Sequence, residues 1–234
     1  MQTVILAGGL GTRLRPVTQS IPKPMVPVAG APYLEHQLRR LSEQSIRNIV
    51  LLTGYLGEQI EEYFGDGSRL GLSLRYSCEP VPLGTGGALR EGRSLLEDAF
   101  LVIYGDSYLP IDYAAVYRQL IESPALGLLV VYDNRYGDTS VQNNVDVDET
   151  GVVVRYEKDS RDALPYVEAG VLAFRKTILD LIPPQGVASL EKEVFPQLIA
   201  RRSLIAHVTK QRFYDIGTPE RLQVIERLLA HDHH

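Results

Sequence analysis

The first apolar run of the chain leads directly into a glycine-rich loop, and this junction constrains the fold more than any other segment. Residues 4–6 (Val-Ile-Leu) predict a buried strand, and residues 7–13 are Ala-Gly-Gly-Leu-Gly-Thr-Arg. Glycine lets a backbone approach a ligand closely and present its N–H groups to an anion. Arg13 and, further along, Lys23 add two cations that can neutralise phosphate groups. The junction therefore predicts a polyphosphate site at the end of the first strand.

Two common phosphate-binding loops do not match this segment. The loop of the P-loop NTPases needs a glycine, four further residues and then Gly-Lys-Ser or Gly-Lys-Thr, which the sequence lacks. The dinucleotide fingerprint Gly-x-Gly-x-x-Gly is met by Gly9 and Gly11, but Leu14 stands where its last glycine belongs. That glycine permits close helix–strand packing, so a nicotinamide or flavin site is disfavoured. An ordinary strand-to-loop turn is the alternative interpretation.

Length, charge and cysteine content limit the class of protein. A chain of 234 residues with 44% hydrophobic content predicts one domain that spans residues 1–234. A net charge of −5 argues against a nucleic-acid partner. The single cysteine, Cys78, excludes a disulfide framework and fits a reducing compartment. Without a signal peptide or an apolar run of membrane-spanning length, we expect a cytoplasmic protein with no membrane partner. We interpret His231, His233 and His234 as a frayed tail rather than a metal site.

Apolar runs alternate with helical patterns, which is typical of an α/β protein with a mostly parallel sheet covered on both faces. We predict strands at Thr3–Leu6, Asn48–Leu52, Leu72–Tyr76, Phe100–Tyr104, Gly127–Val131, Val152–Glu157, Val167–Phe174 and Leu204–His207. We predict helices from about Tyr33, around Ile60 and Phe64, from near Asp112, and from Pro219 with Thr218 as the N-cap. Residues 132–166 are predicted to form a small β-rich subregion over one end of the sheet.

An aspartate follows one of these predicted strands. Phe100–Tyr104 is followed by Gly105-Asp106-Ser107. In an open α/β sheet, ligands bind at the carboxyl ends of the strands, so Asp106 is expected beside the glycine-rich loop. An aspartate after a glycine also caps turns, and spacing alone leaves both interpretations open.

Residues 6–32, LAGGLGTRLRPVTQSIPKPMVPVAGAP, resemble the signature of the sugar-1-phosphate nucleotidylyltransferases, also called NDP-sugar pyrophosphorylases. The resemblance covers nearly the whole chain and implies a three-layer, Rossmann-like nucleotidyltransferase fold with a mixed, mostly parallel sheet. It implies that an NTP and a sugar 1-phosphate give an NDP-sugar and pyrophosphate. It also implies that Arg13 and Lys23 contact phosphates and that Asp106 and Asp215 bind Mg²⁺, with Arg13, Lys23 and Asp106 as catalytic residues. Since a phosphate monoester is already anionic, this reaction needs no protein nucleophile or general base.

The same resemblance assigns the remaining site residues by matching motifs. Nucleotide-binding residues would be Leu6, Ala7, Gly8, Gly9, Gly11, Thr12, Glu79, Gly84, Thr85 and Gly86. The last four belong to a second glycine-rich segment, residues 79–89, which is expected to precede a helix and to lie against the nucleobase. Sugar-binding residues would be Gly137, Glu157, Lys158, Glu168 and Gly170.

Two positions depart from the pattern of the family. Tyr104 stands where the family often has asparagine before Gly-Asp, and Glu168 stands for the asparagine of Asn-Ala-Gly. An ionised glutamate accepts hydrogen bonds but cannot donate them, unlike an asparagine amide. Glu168 therefore bears directly on the identity of the sugar.

Several segments look closest to the guanylyltransferases that act on D-glycero-D-manno-heptose 1-phosphate, which implies GTP as the nucleotide. These segments are PLGTGGAL (residues 82–89), residues 55–60, residues 63–67, residues 105–108, and Ser189-Leu190-Glu191 leading to Phe195-Pro196. A mannose-1-phosphate guanylyltransferase is the second interpretation, and a uridylyl- or thymidylyltransferase acting on another hexose 1-phosphate is a third. A non-catalytic sugar-nucleotide sensor is disfavoured because Arg13, Lys23, Asp106 and Asp215 are all present. A nicotinamide-dependent dehydrogenase is disfavoured by Leu14, and the sequence leaves open whether the chain forms a homo-oligomer.

Overall fold

The structure of the protein, a computed structural model, describes residues 1–158 and 160–231. The tail predicted at His233 and His234 lies outside these residues. The described part of the chain contains the strands β1 (Gln2–Leu6), β2 (Pro27–Val28), β3 (Ala31–Pro32), β4 (Asn48–Thr53), β5 (Ser73–Cys78), β6 (Ala99–Tyr104), β7 (Ser107–Tyr108), β8 (Gly127–Tyr132), β9 (Val145–Val147), β10 (Val153–Tyr156), β11 (Val167–Arg175), β12 (Leu204–Thr209) and β13 (Tyr214–Asp215). It also contains the helices α1 (Tyr33–Glu43), α2 (Gly57–Phe64), α3 (Gly84–Glu91), α4 (Tyr113–Glu122), α5 (Phe195–Ala200) and α6 (Pro219–His231).

Seven of these strands form one central sheet in the order β12-β8-β11-β6-β1-β4-β5. Every neighbouring pair is parallel except the two that involve β11, which runs antiparallel to both β6 and β8. The prediction of a mixed, mostly parallel sheet is therefore confirmed. Each predicted strand is present, with its ends close to those expected, because long apolar runs between turn residues are a strong signal.

Successive residues of each strand face opposite sides of the sheet, and helices cover both sides. On one side Ile5 packs in a cluster with Leu34 and Leu38 of α1 and with residues of α2 and α4. On the other side Val4 packs in a cluster with Leu89 of α3 and Phe195 of α5. Burying one such side chain contributes about 1.5–3 kcal/mol. Helix–sheet–helix layering follows from the apolar side chains on both faces of each strand.

The last helix closes one end of this arrangement. Ile225 and Leu229 of α6 pack in a third cluster against Val28 and Ile216. The Oγ1 of Thr218 accepts a hydrogen bond from the backbone N–H of Arg221 at 3.4 Å, so the predicted N-cap is present. This packing places the segment before α6 beside the end of β6.

The predicted β-rich subregion contains one antiparallel pair, β9 with β10, joined to the central sheet by a bridge between Val152 and Ile205. Most of the remaining residues in 133–158 and 160–165 form turns and loops, including a 3₁₀ turn at Asn134–Tyr136. None of the helices in residues 1–158 and 160–231 combines the length and apolar character needed to span a membrane.

Candidate active site

A cleft of about 420 Å³ opens where the carboxyl ends of β1, β4 and β6 meet. This volume lies within the usual range of small-molecule sites. Of the residues singled out in the sequence, those that line it are Leu6, Ala7, Gly8, Gly9, Gly11, Thr12, Arg13, Lys23, Glu79, Gly84, Thr85, Asp106 and Lys158. Among the described residues, those singled out but outside its lining are Gly86, Gly137, Glu157, Glu168, Gly170 and Asp215.

The first glycine-rich loop packs so closely that side chains would not fit at two positions. A Cβ at Gly8 would lie 2.9 Å from Oε1 of Glu79, so the two glycine-rich segments touch there. Gly11 has a left-handed φ of 61°, and its carbonyl accepts a hydrogen bond from Oγ1 of Thr18 at 2.8 Å. The backbone of residues 8–11 therefore lies directly on the cleft, with Arg13 exposed in the 3₁₀ turn that follows.

Lys23 and Asp106 form an ion pair in the cleft. Their side chains are 11% and 32% exposed, and Nζ lies 2.5 Å from Oδ2. Asp106 is held at the end of β6 because the N–H of Gly105 donates to the carbonyl of Leu6 at 2.9 Å. A Cβ at Gly105 would lie 2.6 Å from that carbonyl oxygen, so this close approach requires glycine.

Asp215 lies next to Asp106 because the short strands β7 and β13 pair. Asp215 is the register partner of Ser107, and the N–H of Ile216 donates to the carbonyl of Asp106 at 3.0 Å. The carboxylate of Asp215 accepts hydrogen bonds from the N–H of Gly217 at 2.6 Å and from Arg221 at 3.1 Å. The β7–β13 pairing therefore brings the backbone of Asp215 close to that of Asp106, 109 positions earlier in the sequence, although Asp215 lies outside the cleft lining.

The charges of both aspartates act on one buried hydroxyl. Burial first, and then the negative charges of Asp106 and Asp215, raise the pKa of Tyr33 well above its usual value. Both carboxylates therefore lie within electrostatic reach of the Tyr33 hydroxyl.

The donor set fits a hard divalent cation. Magnesium is commonly bound by one or two carboxylates together with substrate phosphates and water. Within residues 1–158 and 160–231 there is no group of three or more His, Cys, Asp or Glu residues that could hold a metal by itself. The oxygen donors of Asp106 and Asp215 are of the type that a hard divalent cation prefers, and a phosphate ligand would add further oxygen donors.

Residues 79–83 of the second glycine-rich segment precede α3, but residues 84–89, with all of its glycines, lie within the helix, so the expectation that the whole segment precedes a helix is wrong. Gly84 has a left-handed φ of 78°, and a Cβ there would lie 2.5 Å from the carbonyl oxygen of Ala188. The N–H groups of Gly86 and Gly87 donate to the same oxygen at 2.9 and 3.1 Å. Gly86 therefore contacts residue 188 rather than the cleft, and these glycines let a distant loop clamp the start of α3.

Glu79 lies where the two glycine-rich segments meet. Its Oε2 accepts a hydrogen bond from the N–H of Leu83 at 3.1 Å, and its side chain also packs against Gly54. Burial, together with the charge of Glu91, raises its pKa above the usual value. The structure places this carboxyl in the lining of the cleft, beside the start of α3.

The predicted sugar residues are divided between the cleft and its surroundings. Lys158 lines the cleft, whereas Glu157 is exposed and pairs with Arg155. Glu168 turns back on its own strand, with Oε1 accepting from the N–H of Gly170 at 2.7 Å. Burial, and then the charge of Glu191, raises the pKa of Glu168 to about 8.

The two predicted sugar-site glycines adopt positive φ angles, 151° at Gly137 and 75° at Gly170. The hydroxyl of Tyr132 donates to the carbonyl of Gly137 at 3.1 Å. A Cβ at Gly170 would collide with Oγ of Ser107, because the two atoms would lie 2.3 Å apart. Gly170 therefore lets β11 approach the residue that follows Asp106.

Glu191 lines the cleft, although the sequence interpretation gave it no role. In the sequence it is part of Ser189-Leu190-Glu191, one of the segments that resemble the heptose-specific guanylyltransferases. Its π-helical segment, Leu190–Val194, has no local sequence signature. Its carboxylate reaches across to Thr85 and Tyr104, which lie far away in sequence. The only available signal was a glutamate within a segment typical of one branch of the family.

A family model described as nucleotidyl transferase matches residues 2–231. The chain belongs to this family. The predicted fold and the predicted nucleotidyltransferase class are thereby confirmed.

The chain is similar over most of its length to two guanylyltransferases. The chain is 37% identical over 227 residues to a mannose-1-phosphate guanylyltransferase of Mycobacterium tuberculosis, covering 94% of this chain and 62% of that protein. It is 36% identical over 225 residues to a D-glycero-alpha-D-manno-heptose 1-phosphate guanylyltransferase of Campylobacter jejuni, covering 94% of this chain and 96% of that protein. The chain therefore spans less than two thirds of the mycobacterial relative but nearly all of the Campylobacter relative.

A solved structure shares the fold over almost the whole chain. HddC from Yersinia pseudotuberculosis, crystallised as a complex with GMP-PN, superposes with a TM-score of 0.82 at 28% sequence identity. The match covers 97% of this chain and 99% of that one.

Proposed function

We propose that the protein is a sugar-1-phosphate guanylyltransferase that converts GTP and D-glycero-α-D-manno-heptose 1-phosphate into the GDP-sugar and pyrophosphate. The observation that carries the proposal is the cleft at the carboxyl end of β1. It gathers the glycine backbone, Arg13, Lys23 and Lys158 around the carboxylate of Asp106, and the β7–β13 pairing brings Asp215 to the segment that follows Asp106. That combination matches the charges of a triphosphate, a second phosphate and a divalent cation.

The reaction that we propose is an in-line displacement at the α-phosphorus of GTP. An oxygen of the sugar phosphate forms the new P–O bond while the bond to the β-phosphate breaks, and pyrophosphate leaves with that electron pair. Lys158 holds the incoming sugar phosphate, Lys23 contacts the α-phosphate, and Arg13 stabilises the departing pyrophosphate. Mg²⁺, held by Asp106 and Asp215, would supply charge neutralisation between the reacting groups. Positioning and charge therefore account for the chemistry, without a protein nucleophile.

The preference for GTP is supported by Glu79 as well as by the names of the relatives. Guanine carries N–H donors at N1 and at its exocyclic amine, whereas the pyrimidine bases uracil and thymine carry only one ring N–H on that edge. A carboxylate with two oxygens accepts from two adjacent donors, so Glu79 is suited to the guanine edge. The raised pKa of Glu79 favours its protonated form in the free protein. Hydrogen bonds donated by the N–H groups of guanine would stabilise the carboxylate and lower that pKa.

Two sugars are favoured by separate observations. The heptose 1-phosphate is favoured because two relatives of that name are 36% and 30% identical to this chain. Mannose 1-phosphate is favoured because the relative of that name has 37% identity, although the chain spans only 62% of it. The heptose is the first choice because residues 55–60, 63–67, 82–89 and 105–108 resemble those of the heptose-specific guanylyltransferases.

A pyrophosphate-release panel tests the proposal. GTP, ATP, UTP and dTTP are each combined with the 1-phosphates of D-glycero-D-manno-heptose, mannose and glucose. We expect the highest kcat/KM for GTP with the heptose 1-phosphate. A higher value with mannose 1-phosphate would overturn the choice of sugar, and a preference for UTP or dTTP would overturn the choice of base.

We also propose a cytoplasmic location, because the substrates are intracellular metabolites and the single cysteine fits a reducing compartment. Subcellular fractionation tests this, with recovery in the membrane pellet as the contrary result. The oligomeric state is a separate question that light scattering of the purified chain resolves.

A further inference from the structure

Glu191 is an anionic group in the cleft that the proposed phosphate chemistry does not use. Its Oε1 accepts a hydrogen bond from the hydroxyl of Tyr104 at 3.1 Å. Its Oε2 accepts from Thr85 at 2.9 Å and from Ser189 at 2.5 Å. Burial opposes ionisation, but hydrogen bonds from these three hydroxyls and from the backbone N–H of Glu191 outweigh it and lower the pKa of Glu191. An ionised carboxylate only accepts hydrogen bonds, so a ligand group that meets it must be a donor.

The surroundings of Glu191 indicate which ligand it faces. Its charge is the strongest one acting on the carboxyl of Glu168, which also feels the charge of Lys158. Burial, then Glu168 and Glu191, also raises the pKa of Tyr156 far above its usual value. Glu191 therefore lies within electrostatic reach of Glu168, and it lines the same cleft as Lys158.

The carboxylate retains capacity for one more hydrogen bond. Each carboxylate oxygen accepts two, and within the described ranges Oε1 receives one, from Tyr104. The negative charge of Glu191 repels a phosphate group, whereas the positive charge of Lys158 attracts one. A neutral hydroxyl fits, since it brings a donor and no charge.

We propose that Glu191 is a specificity-determining residue whose Oε1 accepts a hydrogen bond from one hydroxyl of the bound sugar 1-phosphate. The inference rests on the proposed function, because it requires a sugar 1-phosphate in the cleft. The hydroxyls of Tyr104, Thr85 and Ser189 fix the carboxylate in advance, so the sugar meets an acceptor that is already oriented. A ribose hydroxyl and the guanine N–H groups are the other substrate donors, and the test separates them.

The test compares Glu191→Gln with Glu193→Gln. Glu193 is a matched control because it lies in the same π-helical segment, loses the same charge and is also half-buried. Its carboxylate accepts from the N–H of Ser189, and it lies outside the residues that line the cleft. Circular dichroism and thermal melting establish that both variants are folded.

We expect Glu191→Gln to raise KM for the sugar 1-phosphate roughly tenfold to a hundredfold, the range for a hydrogen bond to a charged group. KM for GTP should stay within about threefold of the wild-type value. If Glu191 had a purely structural role, its loss would disturb Thr85 and α3 and would change KM for both substrates. Glu193→Gln should change neither constant. Tyr104→Phe, which keeps the ring and the charge of Glu191, should raise the sugar KM severalfold and serves where Glu191→Gln does not fold.

Monodeoxy analogues of the sugar 1-phosphate identify the hydroxyl. With the wild type, one analogue should raise KM by the same factor as the Glu191→Gln substitution does for the intact sugar 1-phosphate. With the Glu191→Gln variant, that analogue should raise KM no further. A raised KM for GTP with an unchanged sugar KM would overturn the inference, as would additive losses for every analogue. Those results leave wild-type turnover intact, whereas a wild type that releases no pyrophosphate from GTP with any sugar 1-phosphate overturns the proposed function itself.

Discussion

Replacing Asp106 with asparagine tests the proposed metal site with the least structural disturbance. Asparagine keeps the shape and one oxygen acceptor for Lys23, but it removes the negative charge. The side chains of Asp106 and Lys23 are 32% and 11% exposed, so the pair is sheltered but not sealed from water. We therefore expect the free energy of unfolding to fall by about 1 kcal/mol, the upper range for a partly exposed pair.

The effect on catalysis should be much larger than the effect on stability. Loss of one preorganised electrostatic contact costs about 3 kcal/mol, or roughly a hundredfold in rate. We expect kcat for pyrophosphate release to fall at least that far, while GTP binding in the absence of metal survives, because the glycine backbone and Arg13 are unchanged. Steady-state kinetics and calorimetric titration with GTP in chelator measure the two quantities.

Asp112→Asn provides the matched control. Asp112 is the N-cap of α4, where its carboxylate accepts hydrogen bonds from the N–H groups of Ala114 and Ala115, and it lies outside the cleft lining. Asparagine caps helices as well as aspartate does, so kinetics and melting temperature should both stay at the wild-type values. Turnover of Asp106→Asn within threefold of the wild type would refute the reasoning about the metal site.

Three further predictions follow from packing and burial. Gly84→Ala should lower the free energy of unfolding by roughly 2–4 kcal/mol, through a positive φ and a 2.5 Å approach to Ala188, whereas Gly151→Ala, with a positive φ and open space, should cost about 1 kcal/mol; equal melting losses would contradict this. Burial opposes ionisation of Glu35, but hydrogen bonds from arginine side chains lower its pKa to about 2, so its stabilisation is present above pH 4.5 and is lost as the pH falls towards 2. Glu35→Gln should therefore be less stable by about 2 kcal/mol at pH 7, with the difference vanishing near pH 2 in denaturant titrations, and a difference independent of pH would argue against it. Finally, we propose that residues 1–234 form one domain, which predicts a single cooperative thermal transition, and two separated calorimetric peaks would contradict it.

The central sheet and its first loop could be predicted because their signals are local. Val4, Ile5 and Leu6 are consecutive apolar residues, which predict a buried strand. The glycines that follow allow the backbone to approach a ligand closely. Asp106 follows from the same logic, since ligands of open α/β sheets bind at the carboxyl ends of strands. These inferences need no knowledge of how distant segments meet.

The second carboxylate and the role of Gly86 depend on distant contacts. Asp215 reaches Asp106 only through the pairing of two-residue strands, which carry no recognisable pattern. Family resemblance, rather than spacing, pointed to Asp215. Gly86 was assigned to the nucleobase by family resemblance, but its N–H donates to the carbonyl of Ala188, a contact that the sequence around either residue does not reveal.

Each of the two aspartates has a counter-charge within the chain. Asp106 is paired with Lys23, and Asp215 is paired with Arg221, so both carboxylates are neutralised within the chain. Two adjacent unpaired aspartates would repel each other and weaken the β7–β13 pairing that brings them together. A triphosphate attracts Lys23 more strongly than one carboxylate does, since it offers several negative oxygens. If the proposed function holds, a cation that arrives with the nucleotide would replace Lys23 as the counter-charge of Asp106, and Lys23 would be free to contact the phosphates.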